Sequence, residues 1–257
     1  MLIQRILTAL VLAPLAVGAI LYFPPLITIC LFTVVLTVAA WEWARLTRLP
    51  KPVPTLMTVL FLALAGSIAT TGAGRTFLLP FLITTNVLWL VIVVFVIYAQ
   101  SSGKISLTGF CGKALKSPVA CFTLLLGALV GTLGLLYEDP VLLLLVFVTV
   151  WMADIGAYFV GRRWGKRKLA INISPGKSWE GVFGGIGFSA LTLYLATSWI
   201  ILSTNQRHAL VVLGTLAACM SVFGDLFESL LKRSSGFKDS GNILPGHGGV
   251  LDRIDGL

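Results

Sequence analysis

FLLPFLITTNVLWLVIVVFVIY (Phe77–Tyr98) runs for 22 residues without a charged side chain. A helix needs about 20 mostly apolar residues to cross a bilayer core. This stretch therefore predicts a membrane span. Similar runs recur on both sides of it, at Ile6–Phe23, Leu26–Ala40, Val53–Thr70, Val119–Tyr137, Val141–Trp151, Val182–Leu202 and Leu210–Phe223. Together they predict an all-α, polytopic transmembrane helical bundle of about eight spans. The sixth and eighth runs reach full length only by enclosing Asp154 and by running on to Asp225 and Glu228. A membrane β-barrel would instead show ten-residue segments of alternating hydrophobicity, and none stands out.

Composition agrees. The 257 residues are 57% hydrophobic and 11% charged, with a mean hydropathy of +0.97. Soluble domains average about 25% charged residues. The first run follows a basic start at Arg5, as in a signal peptide, but continues some eighteen residues into Phe23-Pro24-Pro25 and is followed at once by the next run. We expect a retained first helix. Cys30, Cys111, Cys121 and Cys219 are scattered, with no CxxC or Cys/His spacing, so neither a disulfide framework nor a zinc site is expected.

The net charge of +9 does not point to nucleic acid, because the basic residues sit between apolar runs. They fall in the N-terminal tail and after the second, fourth, sixth and eighth runs. Of the 19 Lys and Arg residues, only Arg75 and Arg207 lie on the opposite side. The positive-inside rule then puts the N-terminus and the basic loops in the cytoplasm, as expected for a bacterial inner membrane protein.

Polarity also divides the chain. Residues 1–140 carry few charges inside the runs, Glu42 being the exception, and read as a transmembrane scaffold. Residues 141–257 place acids within or at the ends of three runs, carry two long basic loops, and read as the catalytic region. Lys104–Ser117 is a mixed linker, either an interfacial helix or a plain loop. Gly127, Gly131 and Gly134 share a face, and Gly181, Gly184, Gly185 and Gly187 cluster at the head of the seventh run. Such small residues suit close internal packing or a homodimer interface.

Four groups of residues carry chemistry. Asp154 is a carboxylate inside a span, costing at least ~2.5–3.5 kcal/mol on insertion scales, and such residues face a partner or a polar cavity. Asp225, Glu228, Ser229 and Lys232 recur at i, i+3, i+4 and i+7 and share one helix face. Carboxylates of this kind suit Mg²⁺, which takes one or two of them plus substrate phosphates; an internal Glu228–Lys232 salt bridge is the plain alternative. The loop from Lys238-Asp239 through Pro245-Gly246-His247-Gly248-Gly249 to Asp252-Arg253-Ile254-Asp255 offers backbone N–H groups and cations to phosphate. Ser174-Pro175-Gly176-Lys177 reads as a tight turn with a cation at its tip, near Lys166 and next to Glu180, which opens the seventh span. The GKS triplet lacks the upstream glycine and the strand of a P-loop. All four groups fall on the predicted cytoplasmic side. They suit phosphoryl or nucleotidyl transfer between a soluble nucleotide and a lipid phosphate.

The pattern Ser229-x-x-Lys232-Arg233-x₄-Lys238-Asp239-x₅-Pro245-x-His247-Gly248-Gly249-x-x-Asp252-Arg253-x-Asp255 resembles the signature of the phosphatidate cytidylyltransferases, also called CDP-diacylglycerol synthases. The Asp154 segment, the Ser174–Lys177 stretch and Gly224-Asp225-x-x-Glu228 are similar to that family as well. The resemblance covers roughly residues 150–255; the first half matches as a hydrophobic pattern. It implies conversion of CTP and phosphatidate to CDP-diacylglycerol and pyrophosphate, with Mg²⁺ and a second, monovalent cation such as K⁺ associated with the site. By position it implies Asp225 and Asp252 as metal ligands. Lys177, Lys232, Arg233 and Lys238 would bind phosphates, and Asp154, Glu228, Asp239, His247 and Asp255 would complete the pocket. Asp225, Asp252, Lys232 and His247 are the expected catalytic set. Lys166, Ser174, Glu180, Ser229, Gly248, Gly249 and Arg253 are expected to join the substrate site. The family usually continues past this region into another hydrophobic helix, whereas these residues stop at Gly256-Leu257.

Three other classes compete: an ion-coupled transporter, a CTP-dependent polyprenol or phytol-type lipid kinase, and a membrane scaffold. The acids gather near one membrane face, not at the midplane where transporters bind. A kinase would release CDP, not pyrophosphate. A scaffold leaves the His247 loop unexplained.

Overall fold

The computed structural model describes residues 2–47, 50, 52–71, 73–102, 110–200, 203–243 and 248–257. Helices occur in the order α1 (Leu2–Tyr22), α2 (Pro25–Leu46), α3 (Val53–Thr71), α4 (Ala73–Ser102), the short α5 (Phe110–Leu115), α6 (Pro118–Glu138) and α7 (Pro140–Trp164). A hairpin of β1 (Lys168–Ala170) and β2 (Ser174–Ser178) follows, then α8 (Trp179–Ser198), α9 (Thr204–Ser234) and the one-turn α10 (Leu251–Ile254). Each long helix lies over one of the apolar runs. Among the described residues, 6 helices are long and apolar enough to cross a membrane, namely α2, α4, α6, α7, α8 and α9. The apolar segments Leu10–Tyr22 and Val53–Ile68 are shorter. By this measure the count is six, against an expected eight. The molecule is an all-α membrane protein with one small hairpin.

Helix starts follow local chemistry. Proline stands at the head of α2, α6 and α7, where its missing N–H costs nothing. The Ser117 side chain accepts from the Ala120 N–H, and the Asp139 carboxylate from the Val141 N–H at 2.8 Å. Ser203 and Gln206 form a reciprocal capping box at the start of α9.

The core joins both halves of the chain. Ile29, Phe61, Leu129, Leu230 and Leu231 are fully buried in one cluster, and Trp43 packs tilted against Phe227 with ring centroids 5.7 Å apart. Helices α7 and α8 meet through glycine. A Cβ at Gly156 would sit 2.7 Å from Cβ of Phe188, and one at Gly185 would sit 2.6 Å from the Ala153 carbonyl oxygen. Backbone therefore lies against side chain and backbone with no room for a methyl, and these glycines serve internal packing.

One expectation changes. Ser174–Lys177 is not a turn: it belongs to β2, which pairs antiparallel with β1, Ala170 opposite Ser174 and Lys168 opposite Ser178. The turn falls one step earlier, at residues 171–173, because Ile173 buries its side chain and fixes the reversal there. As expected from the shared face of Asp225, Ser229 and Lys232, α9 does not end with its apolar run. It continues as 31 residues through Asp225 and Lys232, about 46 Å at the standard rise. That exceeds a hydrocarbon core of about 30 Å, so its charged turns reach the membrane boundary. Of the expected linker, residues 103–109 lie outside the described residues.

Candidate active site at the charged end of the bundle

The site forms where α7, β2, the last turns of α9 and α10 meet. On α9, Leu226, Phe227, Leu230 and Leu231 enter the core. The opposite turns present Asp225, Ser229 and Lys232, with Glu228 buried below them. Lys177 Nζ reaches from β2 to Asp225 Oδ2 at 2.5 Å, and the Ser229 hydroxyl donates to Asp225 Oδ1 at 3.3 Å. Lys232 lies between two acids: it pairs with Glu228 one turn earlier and with Asp252 Oδ1 at 2.5 Å. The side chains of Lys232, Glu228 and Asp252 are 12%, 4% and 6% exposed. Pairs this dry are costly to break, because the partner left behind stays charged and unsolvated.

Asp252 organises the glycine loop. Its Oδ2 accepts from the Ser240 N–H at 2.9 Å, the Ser240 hydroxyl at 3.0 Å and the Gly249 N–H at 2.8 Å. Burial alone would raise this carboxyl, but the hydrogen bonds from Lys232 and the Gly249 N–H and the Lys232 charge hold it at about 2. Gly248 adopts φ 81°, in the left-handed region that favours glycine. A Cβ there would sit 2.5 Å from Asp252 Oδ2.

Asp255 is the opposite case. Burial, and then the neighbouring Asp225 and Asp154 carboxylates, push it up to about 8, against the pull of Lys177 and Lys232. Gly224 makes this approach possible, since any Cβ there would overlap the Asp255 carbonyl oxygen. Asp154 projects from α7 in electrostatic contact with Asp225, Lys177 and Arg253. Three acids from three elements thus crowd one position beside Lys177.

The structure brings together Asp154, Lys177, Asp225, Glu228, Ser229, Lys232, Gly248, Gly249, Asp252 and Asp255 of the expected residues, with Arg253 at their edge. Glu180 and Lys166 stand apart: the Glu180 carboxylate accepts from the Lys166 and Arg167 N–H groups at 3.1 and 3.2 Å and closes the base of the hairpin. Ser174 sits in β2, and Lys238 and Asp239 are exposed on the loop. Arg233 turns away from Lys232 and lines a cavity of about 370 Å³ with Leu46, Thr47, Lys116 and residues 234–236. His247 lies outside the described residues.

Glu42 is the functional candidate that sequence reading left out of the site. It is fully buried near the end of α2. Its Oε2 accepts from the Leu251 N–H at 2.8 Å and the Ser240 hydroxyl at 2.9 Å, and Oε1 from the Val250 N–H at 3.1 Å. The available signal was an acid in the apolar stretch Ala39-Ala40-Trp41-Glu42-Trp43.

Among the described residues no three His, Cys, Asp or Glu side chains gather as a ready-made metal cage. Mg²⁺ does not need one, since it is commonly held by one or two carboxylates, waters and substrate phosphates. The gathering of Asp154, Asp225 and Asp255 around Lys177 is the kind of negative charge that a divalent cation relieves. The residues present fit such an ion at Asp225. Both expected ligands have their oxygens engaged in the free protein, Asp225 by Lys177 and Ser229, and Asp252 by Lys232, Ser240 and Gly249.

Comparison with known proteins is consistent across the chain. The model of the cytidylyltransferase family matches residues 3–257. A phosphatidate cytidylyltransferase of Haemophilus influenzae is 40% identical over 280 aligned residues, covering 100% of this chain and 95% of the relative. One of Pseudomonas aeruginosa is 42% identical over 263 residues, covering 100% and 93%. One of Thermotoga maritima is 47% identical over 118 residues, 44% of each chain.

Proposed function

Because the chain belongs to the cytidylyltransferase family, we propose that it is a phosphatidate cytidylyltransferase working at the cytoplasmic face of a bacterial inner membrane. It joins CMP from CTP to phosphatidate, giving CDP-diacylglycerol and pyrophosphate. The observation that carries this reading is the meeting of Asp154, Lys177, Asp225, Lys232, Asp252 and Asp255 at the charged end of an apolar bundle. A soluble polyanion and a lipid phosphate can meet there.

In the reaction, a phosphate oxygen of phosphatidate attacks the α-phosphorus of CTP. The bond from that phosphorus to the β-phosphate oxygen breaks, and pyrophosphate departs with its electron pair. The attacking monoester is largely ionised near neutral pH, its second pKa being about 6 in phosphoamino acids. No strong base is required. The difficulty is bringing two anions together, and fixed cations meet it by position and charge. Lys177 and Lys232 hold the phosphates. Each is kept in place in the free protein by an acid, Asp225 and Asp252 respectively. Arg233 and Lys238 steer the nucleotide from the rim, and Gly248 and Gly249 shape the loop that carries Asp252. His247 serves phosphate hydrogen bonding.

Asp225 would hold Mg²⁺, and Asp252 would join it once a substrate phosphate takes Lys232 from its Oδ1; Asp154 and Asp255 add to the negative field there, and a monovalent cation such as K⁺ would accompany the ion. When bound, the ion would supply charge neutralisation on phosphoryl oxygens. Glu228 keeps Lys232 charged and in register. Ser229 orients Asp225, and Arg253 balances Asp154. Ser174, Lys166 and Glu180 set the hairpin that carries Lys177.

The test is pyrophosphate release by purified protein in detergent, supplied with CTP, phosphatidate and Mg²⁺. Release that needs both substrates supports the reading. Formation of CDP in its place identifies a lipid kinase, and turnover without lipid phosphate removes phosphatidate as acceptor.

A further inference from the structure

Glu42 belongs to the scaffold half, 198 residues from Ser240 and 209 from Leu251 in sequence. Its carboxylate is fully buried, and the described groups bonded to it all come from the C-terminal loop: a hydroxyl and two backbone N–H groups. Two glycines shape the contact. A Cβ at Gly241 or at Gly249 would overlap the Glu42 carboxylate, and one at Gly249 would also overlap Ser240 Oγ. The loop thus approaches Glu42 more closely than any side-chain-bearing residue permits. Ser240 Oγ stands 2.9 Å from Glu42 Oε2 and 3.0 Å from Asp252 Oδ2. Its hydroxyl links the two acids, with one proton to offer between them.

We propose that Glu42 is a positioning residue, a latch from α2 that fixes residues 240–241 and 249–251 and thereby sets where α10 presents Asp252 and Asp255. Val250 and Leu251, whose amides it holds, are the last residues before Asp252. A shift of this anchor moves both acids together, while Lys177 and Asp225, carried by β2 and α9, stay in place. A buried acid with no ion pair among the described residues is expensive to keep for packing alone. Three donors converging on it, with glycines cleared for the approach, make it a receptor for this loop. The consequence for catalysis rests on the cytidylyltransferase reading; the latch itself does not.

The experiment compares the parent with Glu42→Gln and Ser240→Ala as full-length proteins in detergent. Amide hydrogen exchange is read over residues 240–255 and over α7, α8 and α9. The Mg²⁺ concentration for half-maximal CTP-dependent turnover is read in parallel. Glu42→Gln keeps the size but turns a donor toward groups that already donate. It is expected to speed exchange in 248–252 at least tenfold while the three helices keep the parent rates, and to raise the Mg²⁺ midpoint several-fold. Ser240→Ala, which removes one of the three contacts, gives a smaller change of the same pattern. A fall in the folded fraction would lower the maximum rate and leave that midpoint where it was. Parent-like exchange in the loop, exchange raised uniformly through the helices, or an unmoved Mg²⁺ midpoint overturns the proposal. If Glu42→Gln does not accumulate as folded protein, Ser240→Ala decides by the same readings. If the parent shows no CTP-dependent transfer, the functional reading fails and the exchange pattern still decides the latch.

Discussion

Replacing Lys232 with Met tests the electrostatics of the site without reference to turnover. Lys232 is the cation between Glu228 and Asp252, and all three side chains are nearly dry. Holding the Asp252 carboxyl at about 2, against an ordinary 3.8, corresponds to about 2 kcal/mol of stability by linkage. Little of it is screened, since that side chain is 6% exposed. Glu228 loses its partner in the same stroke, and breaking a buried pair typically costs about 3–5 kcal/mol. We therefore expect Lys232→Met to lose on the order of 3–5 kcal/mol near neutral pH, a fall in melting temperature of roughly 6–20 °C for a chain of this size. Thermal unfolding followed by tryptophan fluorescence in detergent with EDTA reads it, with Lys232→Arg as the charge-preserving control. The sign with pH follows from the depressed carboxyl. Its contribution is present above about 4 and lost as pH falls toward 2, so the parent weakens over that window and the Met variant changes less. A Met variant that melts with the parent near neutral pH would show that the triad contributes nothing.

Three further outcomes are expected. Asp255→Asn flattens the stability profile between about pH 4 and 8: the parent, its carboxyl held at about 8, loses stability across that window because the unfolded chain ionises there while the folded one stays protonated, which melting curves with EDTA will show. Gly249→Ala forces a methyl onto Ser240 and Glu42 and costs about 1–3 kcal/mol, seen as faster proteolysis of the loop and reduced turnover. Gly185→Leu separates α7 from α8 at Ala153 and removes most of the monodisperse protein recovered in detergent.

What the sequence made legible was whatever the bilayer enforces. Phe77–Tyr98 could only be a span, and α4 covers it from Ala73 to Ser102. The face shared by Asp225, Ser229 and Lys232 also followed from helical spacing, because α9 is continuous there. The hairpin was hidden. β1 and β2 have three and five residues and show no alternating hydrophobic pattern, their pairing being set by Ile173 and Ala170 turning inward. Glu42 was visible as an anomaly but not as a site residue. Its partners are backbone N–H groups some two hundred residues away, and no local pattern encodes such a contact. The partition between Asp252 and Asp255 was equally closed to sequence. Burial raises both acids three residues apart, but Asp252 meets Lys232 and the Gly249 N–H, which outweigh it, whereas Asp255 meets Asp225 and Asp154, which add to it.

The most direct measurement follows label from CTP into lipid, using purified protein, phosphatidate and Mg²⁺, with the parent beside Asp225→Asn. Label at the α-phosphorus is expected to appear in the lipid and label at the γ-phosphorus in pyrophosphate, and Asp225→Asn should lower the transfer by at least a hundredfold while melting like the parent. γ-Label in the lipid, or undiminished transfer by the Asn variant, would contradict a nucleotidyl transfer site built on Asp225.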